Sequence, residues 1–257
     1  MGRGPFNPLQ SGKGSKVKPI KAYRNPDFMH GKEARALRIL AEYLEPKSRF
    51  EAEDVEDTIV FFGSARVAQG SAWYEAARAL ALRLTQWSKG LDATTQRRFV
   101  VCTGGGPGIM EAANRGASEA RGRNVGLKIS LPREETINAH VTRELAFHFH
   151  YFFMRKFWLA YMAKAVIVFP GGFGTLDELF EVLTLVQTKR MTKHMPIVLF
   201  GTEYWREVIN FDALVRHGTI DAADVNLVYR TDSVDEAYDW LIRELTEQAL
   251  GKPGAML

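Results

Sequence analysis

The chain has 257 residues, 46% of them hydrophobic and 25% charged, with one cysteine and a formal charge of +4. Such a composition is ordinary for a soluble globular protein, and the length suffices for one substantial core. The most apolar stretch, "YFFMRKFWLAYMAKAVIVFP", is interrupted by Arg155, Lys156 and Lys164, which argues against a membrane-spanning helix.

Residues 1–24 carry Arg3, Lys13, Lys16, Lys18, Lys21 and Arg24 and no acidic residue, which more than accounts for the net charge. The remainder is close to neutral, so a basic nucleic-acid-binding face is not expected on the folded part. The glycine, proline and serine of residues 1–27 read as a flexible basic arm. It lacks the apolar run of a signal peptide, and the lone Cys102 allows no intrachain disulfide, so a cytoplasmic setting is expected.

An N-terminal helical extension is expected over 28–57. Within it, Ala34, Leu37, Leu40, Ala41 and Leu44 recur at helical spacing in "GKEARALRILAEYLEPK". From residue 58 short apolar runs alternate with amphipathic stretches. Strands are expected at 58–64, 98–106, 124–131, around 143–150, and at 165–172, 196–201 and 226–232. Helices are expected at 71–89, 108–122, 151–163, 175–189, 203–215 and 233–249. Continuous apolar strands separated by helices predict an α/β fold. The expected architecture is a Rossmann-like parallel sheet of about six to seven strands, helices on both faces, over residues 58–250.

Three strand ends carry turn chemistry: "FFGSAR", "CTGGGPG" and "FPGGFGT". Ligands of open parallel sheets bind beyond the carboxyl ends of the strands. Glycines there let backbone N–H groups approach an anion at a helix N-terminus. Three such loops on one rim point to a phosphate-bearing ligand. The dinucleotide fingerprint fails at 104–109, where Ile109 takes the last glycine position, and neither glycine loop supplies the lysine of a Walker A motif. A smaller anion, such as a monophosphate, remains.

Arg155 and Lys156 sit in an otherwise apolar helix, where they either meet an anion or snorkel to solvent. Asp177, Glu178 and Glu181 open the helix after "FPGGFGT". Thr175 and Glu178 have the spacing of a capping box, so Glu178 either caps that helix or faces a ligand. His148 and His150 alternate on a strand, but no third metal ligand is evident by spacing.

"PGGFGTLDE", Pro170 to Glu178, resembles the P-G-G-x-G-T-x-x-E signature of the Lonely Guy (LOG) family, often labelled lysine-decarboxylase-like. "TGGGPGIMEAANRGA" is similar to the family's second glycine loop, and "MRK" at 154–156 to its Arg-Lys helix. The longer N-terminus and the 131–150 connection look like the larger bacterial branch. The resemblance implies hydrolysis of the N-glycosidic bond of nucleoside 5′-monophosphates, cytokinin ribotides or AMP-like nucleotides, by at least a homodimer needing no metal or organic cofactor. It makes Arg155 and Glu178 the catalytic pair. Substrate would be held by Ser64, Gly104, Gly105, Gly106, Gly108, Met154, Lys156, Gly171, Gly172, Gly174, Thr175 and Glu181. A non-catalytic nucleotide or molybdenum-cofactor carrier on the same fold is the alternative. A pyridoxal-phosphate lysine decarboxylase is a weaker one, since nothing around Lys156 or Lys164 specifies a pyridinium partner.

Overall fold

The computed structural model describes residues 18–91, 97–130 and 136–254. Two compact units divide the chain, 1–41 and 42–257. In the first, a 3-10 turn (Ala22–Arg24) leads to α1 (Pro26–His30). The expected arm over 1–27 is therefore partly helical. Asn25 Oδ1 accepts from Asp27 N at 3.1 Å and Pro26 fills the first helical position, a pairing that starts even a short helix. Residues 1–17 lie outside the described residues. Helix α2 (Arg35–Ala52) runs across the boundary between the units.

The second unit holds β1 (Thr58–Phe62), α3 (Ala72–Gly90), β2 (Val100–Thr103), α4 (Ile109–Glu119), β3 (Asn124–Ile129) and β4 (Ala146–Phe149). There follow α5 (Phe152–Met162), β5 (Ala163–Val168), α6 (Phe173–Gln187), β6 (Ile197–Phe200), α7 (Thr202–Val208), α8 (Phe211–Arg216), β7 (Tyr229–Thr231) and α9 (Val234–Gln248). The seven strands form one sheet in the order β4-β3-β2-β1-β5-β6-β7, every neighbouring pair parallel. All residues of β1, β2, β3, β5 and β6 are buried, which is why these strands read as largely apolar runs, Lys128 in β3 and Lys164 in β5 being buried charges within them. From β1 the chain proceeds outward to β4, then returns to lay β5 on the other side of β1. That reversal opens a crevice at the carboxyl ends of β1 and β5.

Two elements differ from the sequence reading. The helix expected at 203–215 is two helices. Ile209 is extended and Asn210 starts α8 afresh, its Oδ1 accepting from Ala213 N at 2.8 Å. The strand expected near 143–150 begins as a 3-10 turn, Arg143–Leu145, and only Ala146–Phe149 pairs with β3.

Two polar arrangements, the second of them buried, hold the parts that reach the crevice. Glu42 of α2 receives His150 N at 2.7 Å and Tyr151 N at 3.1 Å, placing a carboxylate at the amino end of α5. Asn114 of α4 accepts from Thr103 Oγ1 at 2.7 Å and from Asn138 Nδ2 at 2.9 Å, and donates to Asn124 Oδ1 at 2.9 Å. Asn138 also donates to Gly106 O at 3.1 Å, so this network ties down the second glycine loop.

Candidate active site

The three loops are joined by backbone hydrogen bonds across the crevice. Ser64 N, after β1, donates to Pro170 O at 2.9 Å, and Ile109 N, at the start of α4, donates to Ser64 O at 3.1 Å. The second contact demands Gly108, whose φ is +66° and where a Cβ would lie 2.3 Å from Ser64 O. Tyr204 of α7 reaches in from the side, its hydroxyl donating to Gly171 O at 2.6 Å.

Around this frame lies a cleft of about 1030 Å³. Of the residues expected at the site, Ser64, Gly104, Arg155, Gly171, Gly172, Gly174, Thr175 and Glu178 line it. The first turn of α6 opens onto the cleft from Gly172, with no side-chain cap on its N–H groups. An uncapped helix start with glycines that leave room for close approach suits a phosphate. A Cβ at Gly172 or Gly174 would meet nothing within 4 Å.

The capping-box alternative for Glu178 is not what forms. Helix α6 starts at Phe173, so Thr175 lies inside its first turn and the N-cap is Gly172. Freed from capping, Glu178 Oε1 accepts from Arg155 Nη2 at 2.7 Å. Both side chains are nearly covered, 13% and 12% exposed. Burial pushes the Glu178 carboxyl up to about 7, against the opposing pull of the Arg155 guanidinium. Arg155 Nε is buried with no hydrogen-bond partner among the described residues. The pair thus combines a carboxyl poised near neutrality with a guanidinium that keeps a donor in reserve.

The other expected residues do not reach the cleft surface. Lys156 Nζ pairs with Asp177 at 2.7 Å and Glu181 at 3.2 Å. Burial works to lower the Lys156 pKa, but the hydrogen bonds to Asp177 and Glu181 outweigh it and raise the pKa above the usual lysine value. Met154 is buried in α5. Gly105, at φ +72°, donates to Thr103 Oγ1 and accepts from Asn138 N, and a Cβ there would lie 2.7 Å from Ile137. Gly105, Gly106 and Gly108 therefore shape the loop from beneath. His148 Nε2 sits 2.9 Å from Ser130 Oγ.

The sequence reading missed several cleft residues. Arg66, Trp73, Met110, Ile129, Phe152 and Tyr204 also line the cleft. Trp73 and Tyr204 meet edge to face at 6.2 Å. "GTEYWREVIN" reads as ordinary helical packing because Trp205, beside Tyr204, is indeed core. Residues 131–135 of the 131–150 connection lie outside the described residues.

Fold and site together define a Rossmann-like protein with an acid–arginine pair on its switch-point rim. A family model described as "Possible lysine decarboxylase" matches residues 110–241, just over half the chain. The chain belongs to this family, the LOG family of the sequence resemblance. Among curated relatives, a probable cytokinin riboside 5′-monophosphate phosphoribohydrolase of Oryza sativa subsp. japonica is 32% identical over 158 residues, covering 58% of this chain and 63% of the relative. An Arabidopsis thaliana cytokinin riboside 5′-monophosphate phosphoribohydrolase is 29% identical over 162 residues, covering 62% and 70%. The chain thus spans less than two thirds of the rice relative's length. Among solved structures, the molybdenum cofactor carrier protein of Chlamydomonas reinhardtii superposes with a TM-score of 0.52 at 21% identity, over 74% of this chain and 99% of that one. The molybdenum cofactor binding protein of Rippkaea orientalis gives 0.50 at 22% identity, over 74% and 98%. These two likenesses concern the fold alone.

Proposed function

We propose that this chain hydrolyses the N-glycosidic bond of nucleoside 5′-monophosphates, yielding free base and ribose 5-phosphate. The observation that carries the reading is the Arg155–Glu178 pair, 2.7 Å apart, beside the uncapped glycine-rich start of α6. The names of the curated relatives support the reaction class. In the proposed complex the 5′-phosphate lies against Gly171, Gly172, Gly174 and Thr175, with Ser64 and Gly104 opposite. Gly105, Gly106, Gly108, Met154, Lys156 and Glu181 serve from behind, by fixing the loop and the helix faces.

As the bond from C1′ to the base breaks, the base leaves with the bonding pair and positive charge develops on the ribose ring. The Glu178 carboxylate stabilises that charge and takes a proton from the water that adds to C1′; the departing base takes up a proton from solvent and Glu178 releases its own to solvent, so the elements of water end up on C1′ and the base. Arg155 orients the carboxylate and offers the N–H groups of its guanidinium not bonded to Glu178 to the substrate. Phosphate binding far from C1′ supplies orientation. Cytokinin ribotides and AMP-like nucleotides are the proposed substrates, acted on by a homodimer in the cytoplasm. Among the described residues no helix is long and apolar enough to cross a membrane.

The test is incubation of the full chain with a panel of nucleoside monophosphates that includes isopentenyladenosine monophosphate, with chromatography of the released base. Base and ribose 5-phosphate in equal amounts support the reading. Tight retention of an intact nucleotide, with no base released by wild type, would replace it with a carrier function.

A further inference from the structure

We propose that a cavity between α7, α8 and β7 is a second small-molecule site, in which Arg230 holds a carboxylate or phosphate head group. The cavity measures about 580 Å³ and shares no lining residue with the cleft. Helix α7 separates the two, turning Tyr204 to the cleft and Glu203 and Arg206 to this cavity.

The observation that demands an explanation is Arg230 itself. Its guanidinium lies 4.8 Å above the Phe211 ring, half-buried at the cavity wall. Burial draws its pKa below the usual arginine value, with the Asp212 charge opposing. Among the described residues it has neither an ion-pair partner nor a hydrogen-bond acceptor. Other arginines withdrawn from solvent are supplied with acceptors. Arg98 donates to Asp57 Oδ2, Leu250 O and Ala249 O at 2.7–3.0 Å, and Arg155 donates to Glu178. A partly desolvated guanidinium over an aromatic ring, with its donors open to a cavity, is an arrangement suited to a planar or tetrahedral oxyanion.

Two further donors line the same cavity. Arg206 has no ion-pair partner among the described residues. Asn210 spends its Oδ1 on Ala213 N, which leaves its Nδ2 amide as a donor. Phe211 and Ile209 give the cavity an apolar wall, while Glu203 and Asp212 line it with exposed carboxylates. The ligand class is therefore a small metabolite with one carboxylate or phosphate head and a hydroxylated or cationic remainder.

The test is an NMR titration of the full chain, following the Arg230 Nε and Asn210 Nδ2 proton resonances. One arm uses inorganic phosphate and the other acetate, with ionic strength held constant by chloride. The expected result is a saturable shift of both resonances in at least one arm, the saturating arm naming the head group. Arg230→Gln should abolish the saturable response of the Asn210 amide. Arg206→Gln, which leaves the stacking on Phe211 intact, should weaken binding several-fold. Linear shifts in both arms would overturn the proposal, as would an Asn210 response in folded Arg230→Gln equal to that of the unaltered chain.

Discussion

Glu178→Gln removes a charge that burial resists while keeping an oxygen for Arg155 to bond. In the folded chain the carboxyl holds its proton up to about pH 7, against an ordinary value of 4.5. The folded state therefore binds more protons than the unfolded state between those two values, and stability falls as pH rises through that window. Above it the full penalty is present, about 3 kcal/mol at roughly 1.4 kcal/mol per pH unit. With the side chain only 13% exposed, little of this is screened by solvent. Glutamine never ionises and escapes the penalty. At pH 8 the variant should be more stable than the unaltered chain by about 3 kcal/mol, a Tm gain on the order of 5–10 °C. At pH 5 the gain should shrink to below about 1 kcal/mol. Thermal melts of both proteins at the two pH values measure this directly, and hydrolysis should be lost at both. A variant that melts lower at pH 8, or a gain that does not shrink at pH 5, refutes the reasoning.

Hydrolysis by the unaltered chain should rise through a single ionisation near pH 7, since the water needs the carboxylate form; a profile flat from pH 6 to 8 removes Glu178 from that role. Gly171→Ala would set a Cβ 2.1 Å from Thr175 Oγ1 and should cost about 1–3 kcal/mol by denaturant titration. Gly172→Ala meets nothing within 4 Å, so it should leave the melting temperature alone and raise KM by crowding the phosphate. Asn114→Ala would strand the partners Thr103, Asn124 and Asn138, and a loss of about 2–4 kcal/mol is expected; a loss below about 0.5 kcal/mol would deny the network its anchoring role.

The sheet was readable because strands buried on both faces leave continuous apolar runs, and helices between them show their own period. Boundaries moved where side chains compete with the backbone, as at Asn210, which restarts a helix that apolar spacing alone continues. At the candidate site, the glycine loops stood out at strand ends, Arg155 as a cation in an apolar helix, and Glu178 as one of three carboxylates near the start of a helix. The choice between cap and pair for Glu178 was not. It depends on α6 starting at Phe173, ahead of Thr175, and on Arg155 arriving from 23 residues away in sequence. Tyr204, Trp73 and Asn138 escaped notice for the same reason, since each acquires its place only through tertiary contact.

The bonds from Ser64 N to Pro170 O, from Ile109 N to Ser64 O and from Tyr204 to Gly171 O make the rim a single frame shared among four stretches of chain. A loop transplanted alone from a relative would bring donors and acceptors cut for other neighbours, so exchange succeeds only when the stretches move as a set. Met110, Ile129 and Phe152 contribute side chains to the cleft without belonging to that frame. On the proposed function, the rim divides into a part that would fix how a ligand is gripped and a part free to vary which ligand is gripped. Redesign of the ligand preference therefore belongs to the second part.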